Sequence, residues 1–220
     1  MAISPLTKEL LSNSSKSFQV LLGLKKSPHD LAIHQEKVFE IDDHMGIVIS
    51  GMTADARFLR KFMMNACINY EFVYGSKHPT ERLIAAIAKK SQVKTAHPSK
   101  RPFGVGLLVG SIDAAGTHLF ETCPSGNYYE YYSMAIGDRC QSAKTYLEKN
   151  FESFSGVSRD QLIAHGVQAL KASAQDTDLT EHNCSIGVLG KGEPFRLLNK
   201  DEVKALVAAA GGEEEKMQID

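Results

Sequence analysis

The segment Gly104-Val105-Gly106-Leu107-Leu108-Val109-Gly110 is glycine-rich enough to suggest a phosphate-binding loop. Such a loop needs a helix N-terminus behind it to hold an anion. Here the glycines lie inside an apolar run that ends at a turn, so they are expected to permit close backbone packing. A free-standing small-molecule binder is the rival reading of this strand. The histidines show neither His-x-x-x-His nor His-Glu-x-x-His spacing, so no metal site is expected, and nothing calls for a cofactor. His182 near Cys184 invites a cysteine–histidine reading, which the sequence does not favour. Tyr128-Tyr129-Glu130-Tyr131-Tyr132 is the densest aromatic cluster. No basic residue interleaves it, so packing in a core or at an interface is expected rather than stacking on bases.

The elements that must position these residues belong to one large domain, as 220 residues allow. A net charge of −1 gives no electrostatic push toward nucleic acid or an anionic membrane, so neither is expected as a partner. Lys25-Lys26, Lys89-Lys90 and Lys100-Arg101 are far apart and read as solvated pairs. Cys67, Cys123, Cys140 and Cys184 form no Cys-x-x-Cys pair, which suits a reducing compartment. No apolar run approaches the roughly 18–20 residues that span a bilayer, and Met1 to Asn13 lacks the pattern of a secretory signal. Cytoplasm and nucleus are the expected locations.

Strand patterns cover Phe18–Leu24, Val38–Ile41 and Met45–Ser50, the last apolar almost throughout as for a strand covered on both faces. Helical period follows from Thr53, a candidate N-cap, with Asp55 in the favourable first turn. Pro79 opens a second helix carrying Leu83, Ile84 and Ile87. Strands return at Phe103–Ile112, His118–Thr122 and Tyr128–Ile136, then helices at about 138–151 and 158–172. Strands at Cys184–Leu189 and Phe195–Leu198 precede a last helix from Asp201, ended by Gly211-Gly212. Leu6–Leu11 reads as a short helical turn, Ser12–Ser15 as a loop, and Glu213-Glu214-Glu215 as a disordered tail. Strand runs and helix runs are segregated, so an α+β fold is expected: a four-layer αββα sandwich.

From about Leu21 to Leu206 the chain resembles proteasome alpha subunits. The resemblance rests on Glu36-Lys37-Val38-Phe39-Glu40-Ile41-Asp42-Asp43-His44 and Ser50-Gly51-Met52-Thr53-Ala54-Asp55-Ala56-Arg57. Arg101-Pro102-Phe103-Gly104-Val105-Gly106, Cys123-Pro124-Ser125-Gly126-Asn127-Tyr128 and Ala135-Ile136-Gly137 follow in the same order. Within the family the second and third segments are most similar to the type-1 group.

The resemblance implies the sandwich of N-terminal-nucleophile hydrolases and a non-catalytic subunit of the outer alpha ring of the proteasome core particle. Such a subunit assembles with other alpha and beta subunits and receives activator C-terminal tails in ubiquitin-dependent degradation. Catalytic beta relatives need a threonine freed as chain terminus, an aspartate and a lysine. Lys37 matches the lysine; Leu24 falls where the aspartate belongs, and no glycine precedes Gly23 for a Gly–Thr cleavage. An active threonine hydrolase is therefore the disfavoured alternative. In alpha rings the lysine matching Lys37 lines a pocket between neighbours, where it can pair with the carboxylate of an activator tail. The backbone of Gly51 and Met52 lies beside it in the same resemblance; Lys37 as a structural ion pair is the rival reading. The family's usual opening segment is not matched by Met1–Ser17. This divides the chain into a divergent segment at 1–17, the alpha-type domain at 18–210 and an acidic tail at 211–220. A shortened or variant subunit that assembles abnormally is a second alternative.

Overall fold

A computed structural model describes residues 2–5, 18–25, 35–154, 156–174 and 179–212, with the backbone alone at 2–5 and 210–212. The readings at Leu6–Leu11, Ser12–Ser15 and Glu213–Glu215 lie outside the described residues. Two antiparallel five-stranded sheets pack face to face between two helix layers, the expected four-layer α+β sandwich.

Sheet B is a meander of consecutive strands: β3 (Val38–Asp42), β4 (Met45–Gly51), β5 (Val105–Asp113), β6 (Gly116–Thr122) and β7 (Tyr128–Glu130). Helices α1 (Thr53–Tyr74) and α2 (Thr80–Ala96) leave this sheet after β4 and cover its outer face. Leu59, Met63 and Cys67 of α1 and Leu83, Ile84 and Ile87 of α2 bury their apolar stripes against Ile47, Ile49, Leu107 and Val109.

Sheet A is ordered β10–β9–β2–β1–β8. Its strands are β1 (Ala2–Pro5), β2 (Phe18–Leu24), β8 (Ser133–Ile136), β9 (Cys184–Gly190) and β10 (Glu193–Leu197). Helices α3 (Cys140–Asn150), α4 (Arg159–Ala174) and α5 (Lys200–Gly212) carry the other half of the sequence, and a 3₁₀ turn at Phe151–Phe154 extends α3. Leu147, Leu162, Val167 and Leu170 pack there on Val20, Leu22, Ile186 and Val188. Between the sheets, Leu21, Val38, Val48, Leu108, Leu119 and Phe195 form a third apolar cluster. The alternation explains why β2 and β4 read as continuously apolar: both of their faces are covered.

Three local readings change. The run Tyr128–Ile136 is two strands in different sheets, because the chain leaves sheet B after Glu130 and enters sheet A at Ser133. Residues 1–17 were set apart from the domain, yet Ala2–Pro5 is a strand paired on both sides, Ala2 facing Gly23 and Ile136. Helix α5 runs through Gly211-Gly212 instead of stopping before them.

Candidate functional site

The corner where β3, β4, β5 and α1 meet is built from backbone outward. Gly51 ends β4 at φ +123°, a conformation that disfavours any side chain. A Cβ at Gly51 would also stand 2.2 Å from the Gly104 carbonyl oxygen. The next N–H, that of Met52, donates to this same oxygen at 2.7 Å, and the Met52 carbonyl accepts from Ala56 to start α1. The helix therefore takes its N-cap from Met52, which has no capping side chain. Thr53, the residue expected to cap it, is already helical and donates its hydroxyl to Gln35 Oε1 at 3.0 Å.

Lys37 enters this corner through its backbone: its carbonyl accepts the Ile49 N–H at 2.9 Å. Its side chain is half-buried, and its Cβ lies 3.3 Å from where a Cβ on Gly23 would stand. Since Ile49 faces Lys37 and Met52 faces Gly104, ladder alternation turns the Gly51 N–H and C=O away from β5. They point to the β3 side of β4, about 7 Å along the strand from the Lys37–Ile49 bond. Met52 is 52% exposed. Lys37, Gly51 and Met52 thus lie close to one another at the β3 side of β4, with Met52 exposed. That combination suits a chain end, through backbone bonds and a carboxylate partner.

Sequence reasoning placed Asp55 only in a helix first turn. It is 7% exposed, and its carboxylate takes a bidentate pair from Arg101, at 2.7 Å for Nη1 and 2.8 Å for Nη2. It also accepts the Gly104 N–H at 2.8 Å. The Arg101 hydrogen bonds hold the Asp55 carboxyl at about 2, against burial that pushes it up and with help from the Gly104 N–H. Both partners lie in Arg101-Pro102-Phe103-Gly104, a segment the sequence singles out, but the pairing across 46 residues leaves no local mark.

The described start of β1 reads Ala2-Ile3-Ser4-Pro5, with Ala2 opposite Gly23. Leu24 is 3% exposed and packs among Val20, Leu22, Cys184 and Ile186. Cys184 has its thiol pushed up to about 12 by burial, as does Cys67, so neither is a ready thiolate. His182 sits in an exposed turn beside Glu181 and makes no pair with Cys184. The glycine strand is close-packed: a Cβ at Gly110 would meet Gln19 at 2.7 Å, which leaves no room for a ligand there. Among the described residues there is no cluster of three metal-ligating side chains, and no helix is long and apolar enough to cross a membrane.

The proteasome subunit family model matches residues 13–189. The chain belongs to the proteasome subunit family. It is 48% identical over 202 residues to proteasome subunit alpha type-1 of Dictyostelium discoideum, covering 91% of this chain and 82% of that one. The Drosophila melanogaster alpha type-1 subunit is 39% identical, over 89% of this chain and 72% of that one. The Caenorhabditis elegans alpha type-1 subunit is 35% identical, over 93% and 85%. Within the proteasome subunit family, the likeness to type-1 members read from the two motif segments agrees with these matches.

Proposed function

We propose that this chain is a non-catalytic, structural subunit of the outer alpha ring of the proteasome core particle. It supports ring assembly with other alpha and beta subunits and docks activator C-terminal tails in ubiquitin-dependent protein degradation, in cytoplasm and nucleus. Nucleic acid and membrane have no part in this reading. The observation that carries it is Leu24. The resemblance puts the aspartate of threonine-type hydrolases at that position, and here an apolar side chain is packed into the core. A lysine without a nucleophile or an aspartate cannot cleave a peptide. The same lysine next to the outward-turned Gly51 backbone supports tail docking.

The test is to tag the chain in its own cells, isolate it and record native mass spectra. Co-migration with the core particle and no adduct on this chain from a peptide epoxyketone are expected. A chain that stays monomeric, or one that takes up the epoxyketone, overturns the reading. For the pocket, Lys37→Ala in the assembled particle is expected to weaken binding of a peptide with a free C-terminal carboxylate about tenfold, as for loss of one charge-assisted pair.

A further inference from the structure

We infer that Asp55 and Arg101 form a positioning clamp that sets the orientation of the tail-docking edge, acting through Gly104 on Gly51 and Met52. The inference rests on the reading of Lys37, Gly51 and Met52 as a docking pocket.

Gly104 is held from both sides of its own residue. Its N–H donates to Asp55 Oδ2 at 2.8 Å, and its C=O accepts the Met52 N–H at 2.7 Å. The Met52 side chain lies over the same glycine, with Sδ 2.7 Å from where a Cβ would stand. The Gly104 oxygen also lies against the Gly51 Cα, 2.2 Å from a Cβ placed there. Any displacement of Gly104 is therefore passed to the backbone of Gly51 and to both the backbone and side chain of Met52. What fixes Gly104 is the Asp55 carboxylate, and what fixes that carboxylate is the planar fork of Arg101, which engages both of its oxygens. Arg101 Nη1 also donates to the carbonyl of Pro102 at 3.0 Å, so the fork grips the strand entering β5 as well as the helix leaving β4.

The exposure of the two partners separates positioning from bulk stability. The Arg101 side chain is 60% exposed and that of Asp55 10%. Arg101 can therefore return to water when the pair is broken, while the bidentate geometry specifies direction. Lysine at 101 would keep the charge and lose the fork. Lys94 lies over the Phe103 ring at 4.3 Å and holds the residue before Gly104 from the α2 side. The clamp thus joins β4, α1, α2 and β5 beside Gly51 and Met52.

The test uses assembled core particle carrying this chain. The probes are a fluorescein-labelled apolar octapeptide with a free C-terminal carboxylate and its C-terminal amide, read by fluorescence anisotropy. Wild type is expected to prefer the free acid, and Lys37→Ala to abolish that preference. Arg101→Lys, Arg101→Gln and Asp55→Asn are expected to weaken both peptides by a common factor of about ten, leaving the acid-to-amide ratio as in wild type. The ¹³C-methyl resonance of Met52 should shift in each clamp variant, while that of Met63 in the α1 core stays in place. If Lys37→Ala loses the preference but the clamp variants bind like wild type, or the Met52 methyl does not move, the clamp is overturned and the pocket stands. If wild type shows no preference and Lys37→Ala changes nothing, the pocket reading falls and the clamp falls with it. Arg101→Lys keeps charge and length, so it decides the matter even where Arg101→Gln fails to enter the particle.

Discussion

Strand β5 meets an aspartate near each of its ends, and the two ends use the same kind of group differently. Before its first residue, Asp55 reaches from α1 to the Gly104 N–H and takes its counter-charge from exposed Arg101. At its last residue, Asp113 reaches to α2, accepting the Thr80 N–H at 3.1 Å and the Thr80 hydroxyl at 3.0 Å. Thr80 in turn accepts from Ser111 at 2.7 Å, and both are fully buried. Asp113 also takes the Ala115 N–H, and His118 stands between Asp113 at 3.1 Å and Glu130 at 2.8 Å. Burial pushes the Asp113 carboxyl up, yet these donors together hold it below the usual carboxylate range. One end is a two-partner clamp at the junction of β4 and α1; the other is a closed network that ties α2, the β5–β6 turn and β7 together. The difference separates a device that aims a surface from one that holds the fold shut.

Two glycines sharpen the contrast. Gly51 and Gly116 both have positive φ, +123° and +132°, but an added Cβ is blocked at Gly51 and meets nothing within 4 Å at Gly116. Gly51→Ala should therefore cost about 4 kcal/mol, or prevent folding, from strain plus collision. Gly116→Ala should cost about 1.5 kcal/mol from strain alone. Urea denaturation of the two variants checks the ranking, and equal effects would break the comparison.

Asp113→Ala falls between the two glycine variants, at about 3 kcal/mol, because it leaves a buried N–H and hydroxyl without their acceptor. Asp55→Ala should cost about 2 kcal/mol, since Arg101 returns to water and only the Gly104 N–H is orphaned. Both carboxyls are held below their ordinary value, so their contribution is complete above that value and is lost as pH falls through the folded one. For Asp55 the window runs from 3.8 down to about 2. Stability measured across it should fall less steeply in Asp55→Asn than in wild type. The smallest effect belongs to Lys77, which reaches Asp42 at 3.0 Å, Glu71 at 3.1 Å and Asp43 at 3.5 Å. Its side chain is 37% exposed, so Lys77→Met should cost about 0.5 kcal/mol by the same denaturation assay.

The layers were legible because burial on two faces writes itself into a strand as an unbroken apolar run, as in Leu21–Leu24 and Ile47–Ile49. The two sheets could not be separated at Tyr128–Ile136, since a chain that changes sheet keeps the same strand-forming residues on both sides of the step. Ala2–Pro5 escaped notice for another reason: a short segment with serine and proline becomes a strand only because β2 and β8 flank it. Lys37, Gly51 and Met52 stand out in the sequence only through the family resemblance, and Asp55 shows there only as a first-turn carboxylate. Bonds that cross 46 or 33 residues, as those of Asp55 and Asp113 do, depend on the fold being in place and leave no periodicity to read.

The position of β1 also sets an order of events. Sheet B comes from one stretch of chain, 38 to 130, whose neighbours in sequence are neighbours in space. Sheet A interleaves distant parts of the chain, with β1 between β2 and β8 and with β9 closing on β2. Contacts between distant parts of a chain form slowly, and a growing polypeptide releases its beginning first. Strand β1 thus waits, half-partnered beside β2, until β8 at Ser133–Ile136 has emerged. Its exposed ladder in that interval is where a nascent subunit most needs protection from pairing with another copy.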